Sequence, residues 1–175
     1  MDTPQILLVD DDPALLQALS STLPLYIPGI KVDLTASAFN ALERIQRCDY
    51  DAIISDIMMP GLDGLELLER IKALRPGTPT LLITGRLEPA FLQKAMNAGA
   101  YDFIQKPIDR LLLIGALKRA MQTHQLQRQI QQQQSLLKSY ARIVGPLADE
   151  ASPAARSLKP VAQSPTPFQP PSWLL

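Results

Sequence analysis

Acidic residues follow two separate apolar segments of the chain, at positions where they could share one cation. Asp10, Asp11 and Asp12 come directly after the first segment, and Asp56 comes shortly after a later one. Carboxylates that meet in one cleft repel each other, and this raises their pKa values unless a cation is present. Mg²⁺ binds a few carboxylate oxygens while leaving room for waters and a phosphate group. The acids therefore predict a Mg²⁺ site that could take part in phosphoryl chemistry.

A hydroxyl group and an ammonium group follow two further apolar segments. Thr84 stands before Gly85, and Lys106 stands before Pro107. Taken alone, a threonine before glycine is typical of a turn, and a lysine at the end of a strand is typical of a solvated surface. Together with the acids they complete the set that phosphoryl transfer needs. That set is a carboxylate nucleophile, a metal, and hydrogen-bonding or positive groups around the transferring oxygens.

The ends of these segments can meet if the segments are strands of one parallel sheet. Short apolar runs alternate with amphipathic stretches from residue 5 to about residue 120. Such runs are typical of strands buried on both faces, whereas an alternating run fits an edge strand. We predict strands at 6–9, at 31–34 on an edge, and at 52–54, 81–83 and 103–104.

Residues that favour helix starts stand between the predicted strands. A capping side chain, or a proline at the first helical position, marks a helix amino terminus. These signals occur at Asp12, Ser37, Asp63, Pro89 and Asp109. Five β-α units in a row predict an α/β fold, a five-stranded doubly wound parallel sheet of the flavodoxin-like order 2-1-3-4-5. In that order strands one and three are neighbours, and ligands bind at the carboxyl ends of the strands.

The last third of the chain has a different composition from the rest. Residues 122–134 contain eight glutamines in thirteen positions, and residues 145–175 contain seven prolines. A glutamine-rich stretch can continue a helix, but a proline-rich segment buries too little apolar surface to order itself. We therefore predict a first domain at 1–121, a helical extension at 122–144, and a disordered proline-rich tail or linker at 145–175.

The fifth helix is predicted to run from Asp109 to about Val144 with two different apolar faces. Its first turns would pack on the sheet through Leu112, Leu113, Ala116, Leu117 and Ala120. Beyond them a 4-3 spacing, typical of a coiled-coil seam, links Leu126, Ile130, Leu137, Tyr140 and Val144, interrupted only by Gln133. This seam predicts a homodimer, and the alternative is a frayed linker without a partner.

Charge and composition argue against several function classes. The 17 basic and 17 acidic residues balance, and residues 122–144 add only three basic ones, too few for a nucleic-acid-binding face. No apolar run approaches the length of about 18 residues needed for a membrane span. The lone Cys48 and the lack of a signal peptide favour a cytoplasmic setting. His124 has no second His or Cys near it, and we interpret it as a solvated helix residue.

Taken together, these motifs resemble the signature of the response-regulator receiver domain of two-component, or phosphorelay, signalling. The signature consists of VDD at 9–11, SDIMMPGLDG at 55–64, TG at 84–85 and KP at 106–107. Spacings of 45, 28 and 22 residues separate Asp11, Asp56, Thr84 and Lys106 in turn. The resemblance extends from residue 5 to about residue 121 and leaves no signature position empty.

The resemblance implies a phosphoacceptor and a metal site. Asp56 would take a phosphoryl group from the phosphohistidine of a sensor histidine kinase or a phosphotransfer protein. Asp10, Asp11, Asp56 and the backbone carbonyl of Met58 would hold Mg²⁺.

The resemblance also implies the residues of a switch. Thr84 and Lys106 would contact the phosphoryl oxygens, and the peptide between Lys106 and Pro107 would be cis. Phe103 falls where the family has a switching aromatic residue. The alternative for Phe103 is an ordinary strand residue of the core.

Three function classes follow, and a phosphorylation-switched interaction module is favoured. Such a module is not an enzyme, apart from its own phosphorylation and dephosphorylation. An aspartyl-phosphate phosphatase is disfavoured because Met58 stands where such hydrolases place a second acid, two residues after the nucleophile. The third class is a scaffold that mainly supports the long helix. No output domain is recognisable after residue 121, which is expected of a stand-alone regulator or of the receiver and linker of a longer protein.

Overall fold

A five-stranded parallel sheet with helices on both faces forms the amino-terminal part of the chain. The computed structural model describes residues 3–62, 64–85 and 88–150, with side chains as far as residue 142. The elements are β1 (Gln5–Val9), α1 (Pro13–Tyr26), β2 (Lys31–Thr35), α2 (Ala38–Arg47), β3 (Ala52–Asp56), α3 (Gly64–Leu74), β4 (Thr80–Thr84), α4 (Pro89–Asn97), β5 (Asp102–Gln105) and α5 (Arg110–Glu150).

The strand order is β2-β1-β3-β4-β5, and every neighbouring pair is parallel. This confirms the predicted flavodoxin-like order and the predicted edge position of β2. Val9 pairs with Ser55, and Asp56 pairs with Ile83. The carboxyl ends of the three central strands therefore lie side by side at one edge of the sheet, where the acids were expected to meet.

Most of the predicted signals for helix starts act as expected. Asp12 Oδ1 accepts hydrogen bonds from two N–H groups of the first turn of α1, at 2.8 and 3.3 Å. Ser37 caps α2 and Asp109 caps α5 in the same manner. These side chains satisfy N–H groups that have no partner within the helix. Pro89 begins α4, and the predicted cap Asp63 lies outside the described residues.

Apolar side chains fill both faces of the sheet. Leu8 and Ile54 point into a cluster with α1 and α5, whereas Leu7 and Ile53 point into a cluster with α2 and α3. A third cluster lies under α4, where Ala95 is buried. Each large side chain buried in this way contributes about 1.5–3 kcal/mol. The sheet is thus buried on both faces, as a doubly wound fold requires.

The inner face of α5 differs from the prediction at one position. Its buried residues are Leu113, Ile114, Ala116, Leu117 and Ala120. Leu112, which was predicted to pack on the sheet, is 66% exposed instead. Successive residues turn by about 100° around a helix, so Leu112 falls on the far side from Leu117 while Ile114 falls near it.

The end of α5 also differs from the prediction. The helix is described as far as Glu150, beyond the predicted end near Val144, and it passes through Gly145 and Pro146. Proline lacks a backbone N–H and so removes one helical hydrogen bond, but the residues after it can continue the helix. Part of the predicted tail at 145–175 is therefore helical, and its remainder, 151–175, lies outside the described residues.

The chain divides into two compact units after Gln132, within the predicted extension 122–144. The sheet and its helices belong to the first unit. In the second unit the described side chains of α5 are exposed as far as Arg142. Among the described residues, no helix combines the length and the apolar character that a membrane span needs.

Candidate functional site

Three acids that are distant in the sequence form one cluster at the carboxyl edge of the sheet. Asp10 and Asp56 are the next residues after the paired Val9 and Ser55, so they lie beside each other. One carboxylate oxygen each from Asp10, Asp11 and Asp56 can be chosen so that all three lie within 4.8 Å of one another. Asp10 and Asp56 are buried, while Asp11 is exposed. The cluster is therefore open to solvent on the side of Asp11.

The carboxylate of Asp56 is held in one orientation by groups on both of its oxygens. Oδ1 accepts a hydrogen bond from the N–H of Ile57 at 2.7 Å and a longer one from that of Met58 at 3.4 Å. Oδ2 accepts a charge-assisted hydrogen bond from Lys106 Nζ at 2.7 Å. An oxygen fixed in this way does not have to be ordered when it reacts, which favours a role as nucleophile.

Lys106 joins the two buried acids. Its Nζ lies 2.7 Å from Asp56 Oδ2 and 3.5 Å from Asp10 Oδ2. Burial opposes the charged form of this amine, but the hydrogen bond to Asp56 and the charge of Asp10 outweigh it and raise the pKa of Lys106. Its backbone N–H donates to the carbonyl of Thr84 at 2.8 Å, which fixes the end of β5 against β4. The peptide between Lys106 and Pro107 is cis, as the family resemblance implied.

Asp10 provides a test of whether a cation fits the cluster. Its Oδ1 accepts a hydrogen bond from the N–H of Asp12 at 2.8 Å. Its Oδ2 is buried and has no hydrogen bond within the described part of the chain, only the 3.5 Å ion pair with Lys106. Burial raises the pKa of Asp10, and the charge of Asp56 raises it further. Buried carboxylate oxygens in this situation are suited to a hard, oxygen-seeking cation such as Mg²⁺.

The remaining predicted residues occupy different positions relative to the Asp56 carboxylate. Thr84 is buried at the end of β4, one residue after the pairing partner of Asp56. Met58 approaches Asp56 through its backbone only, and its side chain is 58% exposed. Phe103 is half-buried, lies opposite Leu82 in the sheet and packs against the cluster under α4. Phe103 is thus a partly buried aromatic residue that stands two residues before Gln105, the last residue of β5.

Gly64, the first residue of α3, lies against the backbone of Asp56, and the sequence pattern assigns it no separate role. A Cβ built there would lie 2.5 Å from the Cα of Ile57 and 2.6 Å from the carbonyl oxygen of Asp56. The Gly64 N–H donates to the carbonyl of Ile57 at 2.9 Å, and Ser55 Oγ donates to the carbonyl of Asp56 at 2.9 Å. Only glycine lets α3 begin so close to the Asp56 backbone. A glycine at the start of a helix, where it is not a favoured residue, was the available signal.

The interpretation of His124 as a solvated residue is wrong. His124 is only 7% exposed, and its Nδ1 lies 3.6 Å from Asp51 Oδ1. Its position explains the burial, because it follows Ala120 by four residues and Leu117 by seven and so lies on the same face of α5. The glutamines around it in the sequence concealed this periodicity.

The family model described as response regulator receiver domain matches residues 6–118. The chain belongs to the response-regulator receiver family. Receivers of this family are signalling switches of two-component systems and are phosphorylated by histidine kinases. The resemblance carried by the sequence motifs is therefore confirmed.

Known proteins similar to this receiver include both longer regulators and single domains. The C4-dicarboxylate transport transcriptional regulatory protein DctD of Pseudomonas aeruginosa is 41% identical over 123 residues, which cover 70% of this chain and 26% of that protein. The transcriptional regulatory protein FixJ of Bradyrhizobium diazoefficiens is 34% identical over 116 residues, covering 66% of this chain and 56% of that protein. The chain thus spans between a quarter and about half of these curated relatives.

The fold is also shared with solved receiver structures. A CheY-like response regulator receiver domain protein from Methanospirillum hungatei matches with a TM-score of 0.68 and 30% identity. That match covers 72% of this chain and 99% of the other. The receiver part of this chain therefore corresponds to nearly the whole of that domain.

Proposed function

We propose that this receiver accepts a phosphoryl group on Asp56 from a histidine kinase or a phosphorelay donor, and that the modification changes its partner-binding face. The observation that carries the proposal is the buried, oriented carboxylate of Asp56 between Lys106 and the acids Asp10 and Asp11. A carboxylate oxygen of Asp56 would form a bond to phosphorus while the bond from phosphorus to the histidine nitrogen breaks. The electron pair of the broken bond would return to the donor's imidazole.

The reaction is proposed to need Mg²⁺. Asp10, Asp11, Asp56 and the backbone carbonyl of Met58 would hold the ion, which when bound would neutralise charge on the transferring oxygens. Lys106 and Thr84 would contact the phosphoryl oxygens from the ends of β5 and β4. Lys106 would then exchange its present contact with Asp56 Oδ2 for one with the phosphoryl group.

The proposed output of phosphorylation is a change on the face around α4 and β5. A phosphoryl group at Asp56 would draw Thr84 towards it, and the space released would admit the ring of Phe103. The half-buried position of Phe103 supports this proposal, because the ring is neither locked in the core nor free in solvent. Downstream partners would read the position of Phe103 together with the surface of α4.

The receiver is proposed to act on nothing besides itself. A phosphatase would need an acid two residues after its nucleophile, and the exposed side chain of Met58 occupies that position. The proposal that this chain has no nucleic-acid partner is supported by the balance of 17 basic and 17 acidic residues. A cytoplasmic setting, supported by the free and exposed Cys48, completes the proposal.

Labelling with a small acyl phosphate would separate the switch from a pure scaffold. We expect the chain to gain the mass of one phosphoryl group from acetyl phosphate in the presence of Mg²⁺, and to gain none after the ion is removed with a chelator. Intact-protein mass spectrometry measures the adduct, and hydroxylamine sensitivity identifies it as an acyl phosphate. A chain that stays unlabelled in the presence of Mg²⁺ would support the scaffold instead of the switch. Labelling at the same rate with and without the ion would show that the acids do not act by binding Mg²⁺.

We also propose that the chain forms a homodimer through the coiled-coil seam. Within the first unit, Leu126 and Ile130 are 52% and 53% exposed. Within the second unit, Leu137 and Tyr140 are 68% and 59% exposed. Apolar side chains with a 4-3 spacing and this exposure favour a helical partner over water. The side chain of Val144 lies outside those described.

The position of charge along α5 supports a second copy of this chain as the partner. With Leu126, Ile130 and Leu137 on the seam, the basic residues Arg128 and Lys138 fall at outer positions of the heptad. The positions that flank the seam hold glutamines, together with an exposed Leu136. Two identical helices would therefore meet without repulsion between like charges, and the flanking amides could pair with each other.

Replacing two seam residues should dissociate this dimer. We expect the double variant Leu126→Gln and Ile130→Gln to raise the dissociation constant of the dimer by at least tenfold, since each buried aliphatic side chain contributes about 1.5–3 kcal/mol. Sedimentation equilibrium over a concentration series measures the constant. Gln131→Ala changes an exposed residue at an outer position of the heptad, away from the seam, and should leave the constant nearly unchanged. A wild-type chain that sediments as a monomer throughout the concentration series would contradict the proposed homodimer.

A further inference from the structure

A polar junction fastens α5 to the edge of the sheet opposite the Asp56 site. Asp51, which directly precedes β3, lies at its centre. Its Oδ2 accepts a hydrogen bond from the N–H of Gln5 at 2.8 Å, and its own N–H donates to the carbonyl of Gln5 at 2.7 Å. Asp51 therefore ties the beginnings of β1 and β3 together. None of these contacts belongs to the phosphorylation site.

Two residues of α5 approach the remaining oxygen of Asp51. His124 Nδ1 lies 3.6 Å from Asp51 Oδ1, and Arg128 Nη1 lies 3.7 Å from the same oxygen. His124 is nearly buried, and its Nδ1 has no hydrogen-bond partner among the described residues. The interaction with the imidazole, followed by the N–H of Gln5 and the charge of Arg128, lowers the pKa of Asp51 despite its partial burial. The carboxylate is thus stabilised from the sheet and from the helix at once.

A second contact holds the same turn of the helix. Thr123 Oγ1 and Tyr101 Oη form a hydrogen bond of 3.1 Å, and Tyr101 directly precedes β5. The N–H of Tyr101 in turn donates to the carbonyl of Thr80 at the start of β4 at 2.8 Å. The turn that contains Thr123 and His124 is therefore attached to the beginnings of four strands. This attachment lies beyond Ala120, the last fully buried apolar residue among the described side chains of α5.

The attached face and the seam lie on opposite sides of α5. His124 and Arg128 are four residues apart and share a face, whereas Leu126 lies two residues from each and is turned by about 200° from either. The exposed fractions agree, since His124 is 7% and Leu126 is 52% exposed. Because Arg128 is engaged with Asp51, its charge is also kept away from the seam.

We propose that the Asp51, His124 and Arg128 junction orients the seam, holding α5 by its inner face so that Leu126 and Ile130 are presented to a second copy of this chain. This proposal rests on the proposed homodimer. A helix that leaves its core without such an attachment frays, because isolated helical turns have little stability of their own in water. The junction carries the ordered turns past the core to the point where the seam begins.

Hydrogen exchange on the full chain tests the attachment separately from the dimer. We expect the amides of residues 121–130 to exchange roughly two- to fivefold faster in Asp51→Asn and in Arg128→Gln, measured at a dilution where the wild type is monomeric. Asp49→Asn is the matched control, because Asp49 is two residues away and pairs with Arg75 instead of α5. Labelling at Asp56 should stay at the wild-type rate in all three variants, which verifies that the receiver is folded. If these amides exchange at the wild-type rate in both junction variants, the proposed attachment is wrong.

Sedimentation equilibrium tests the orientation. In both junction variants we expect the dissociation constant of the dimer to rise by a similar factor, while Asp49→Asn keeps the wild-type value. Faster amide exchange together with an unchanged dissociation constant would contradict the orienting role of the junction, while the attachment of α5 would still be supported. A wild type that is monomeric at every concentration would remove the homodimer and with it the orienting role, while the exchange rates would still decide the attachment.

Discussion

Replacing Asp56 with asparagine is expected to abolish phosphoryl incorporation from acetyl phosphate completely. The amide of asparagine carries no negative charge and is not a nucleophile towards phosphorus, and the neighbouring carboxylate of Asp10 is engaged by Asp12 and Lys106. The substitution is nearly isosteric, so the asparagine oxygen can still accept from the N–H of Ile57. The contact with Lys106 is lost, because the amide NH₂ that replaces Oδ2 cannot accept a hydrogen bond from an ammonium group. Intact-protein mass spectrometry after incubation with acetyl phosphate and Mg²⁺ measures the outcome.

Asp12→Asn is the matched control for this experiment. It removes one carboxylate from the same edge of the sheet, yet asparagine caps a helix about as well as aspartate. We expect this variant to be labelled like the wild type. An Asp56→Asn chain that still gains a full phosphoryl group would show that another residue is the acceptor, and peptide mapping would locate it.

Replacing Asp11 with alanine is expected to weaken Mg²⁺ binding by about tenfold or more. Asp11 is the exposed acid of the cluster and faces the side from which an ion would enter. Its loss leaves Asp10 and Asp56, whose oxygens already share the ammonium group of Lys106. Isothermal titration calorimetry with MgCl₂ measures the affinity of the unphosphorylated chain directly, without depending on the phosphoryl reaction.

The same Asp12→Asn variant controls for a general effect of charge. It changes the net charge near the site by one, but Asp12 belongs to the cap of α1 rather than to the cluster. A loss of affinity much smaller than that of Asp11→Ala would be the expected result. Equal losses in the two variants would mean that the ion is attracted by the overall charge of this edge and is not bound by Asp11.

The site could be predicted from the sequence because the fold brings strand ends together. Once the alternation of apolar and amphipathic segments indicated a doubly wound sheet, the neighbouring positions of strands one and three placed Asp10 beside Asp56. The strand order and the edge position of β2 are confirmed by the pairing of the strands. These features depend on local periodicity and on general rules of topology, which a single sequence records well.

The missed features depend on packing between elements, which local patterns do not record. The need for glycine at position 64 arises because the start of α3 lies against the backbone of Asp56. The burial of His124 arises because α5 stays against the sheet for one turn more than its last small apolar residue indicated. The apolar pattern predicts Leu112 and Leu113 on the same side of α5, but adjacent residues on a helix diverge by about 100°, so Leu112 is exposed.

The ammonium group that joins Asp10 and Asp56 has a consequence for the order in which the site is filled. Together with Asp11, these side chains give the cleft a formal charge of minus two, and Lys106 alone does not balance it. Phosphoryl donors are themselves anions, so an ion-free cleft repels them over roughly a Debye length, about 8 Å at physiological ionic strength. A divalent cation would bring the formal charge to zero and remove that barrier. Under the proposed function the ion would therefore enter first and the donor second, and donors with more negative charge should depend on that order more strongly.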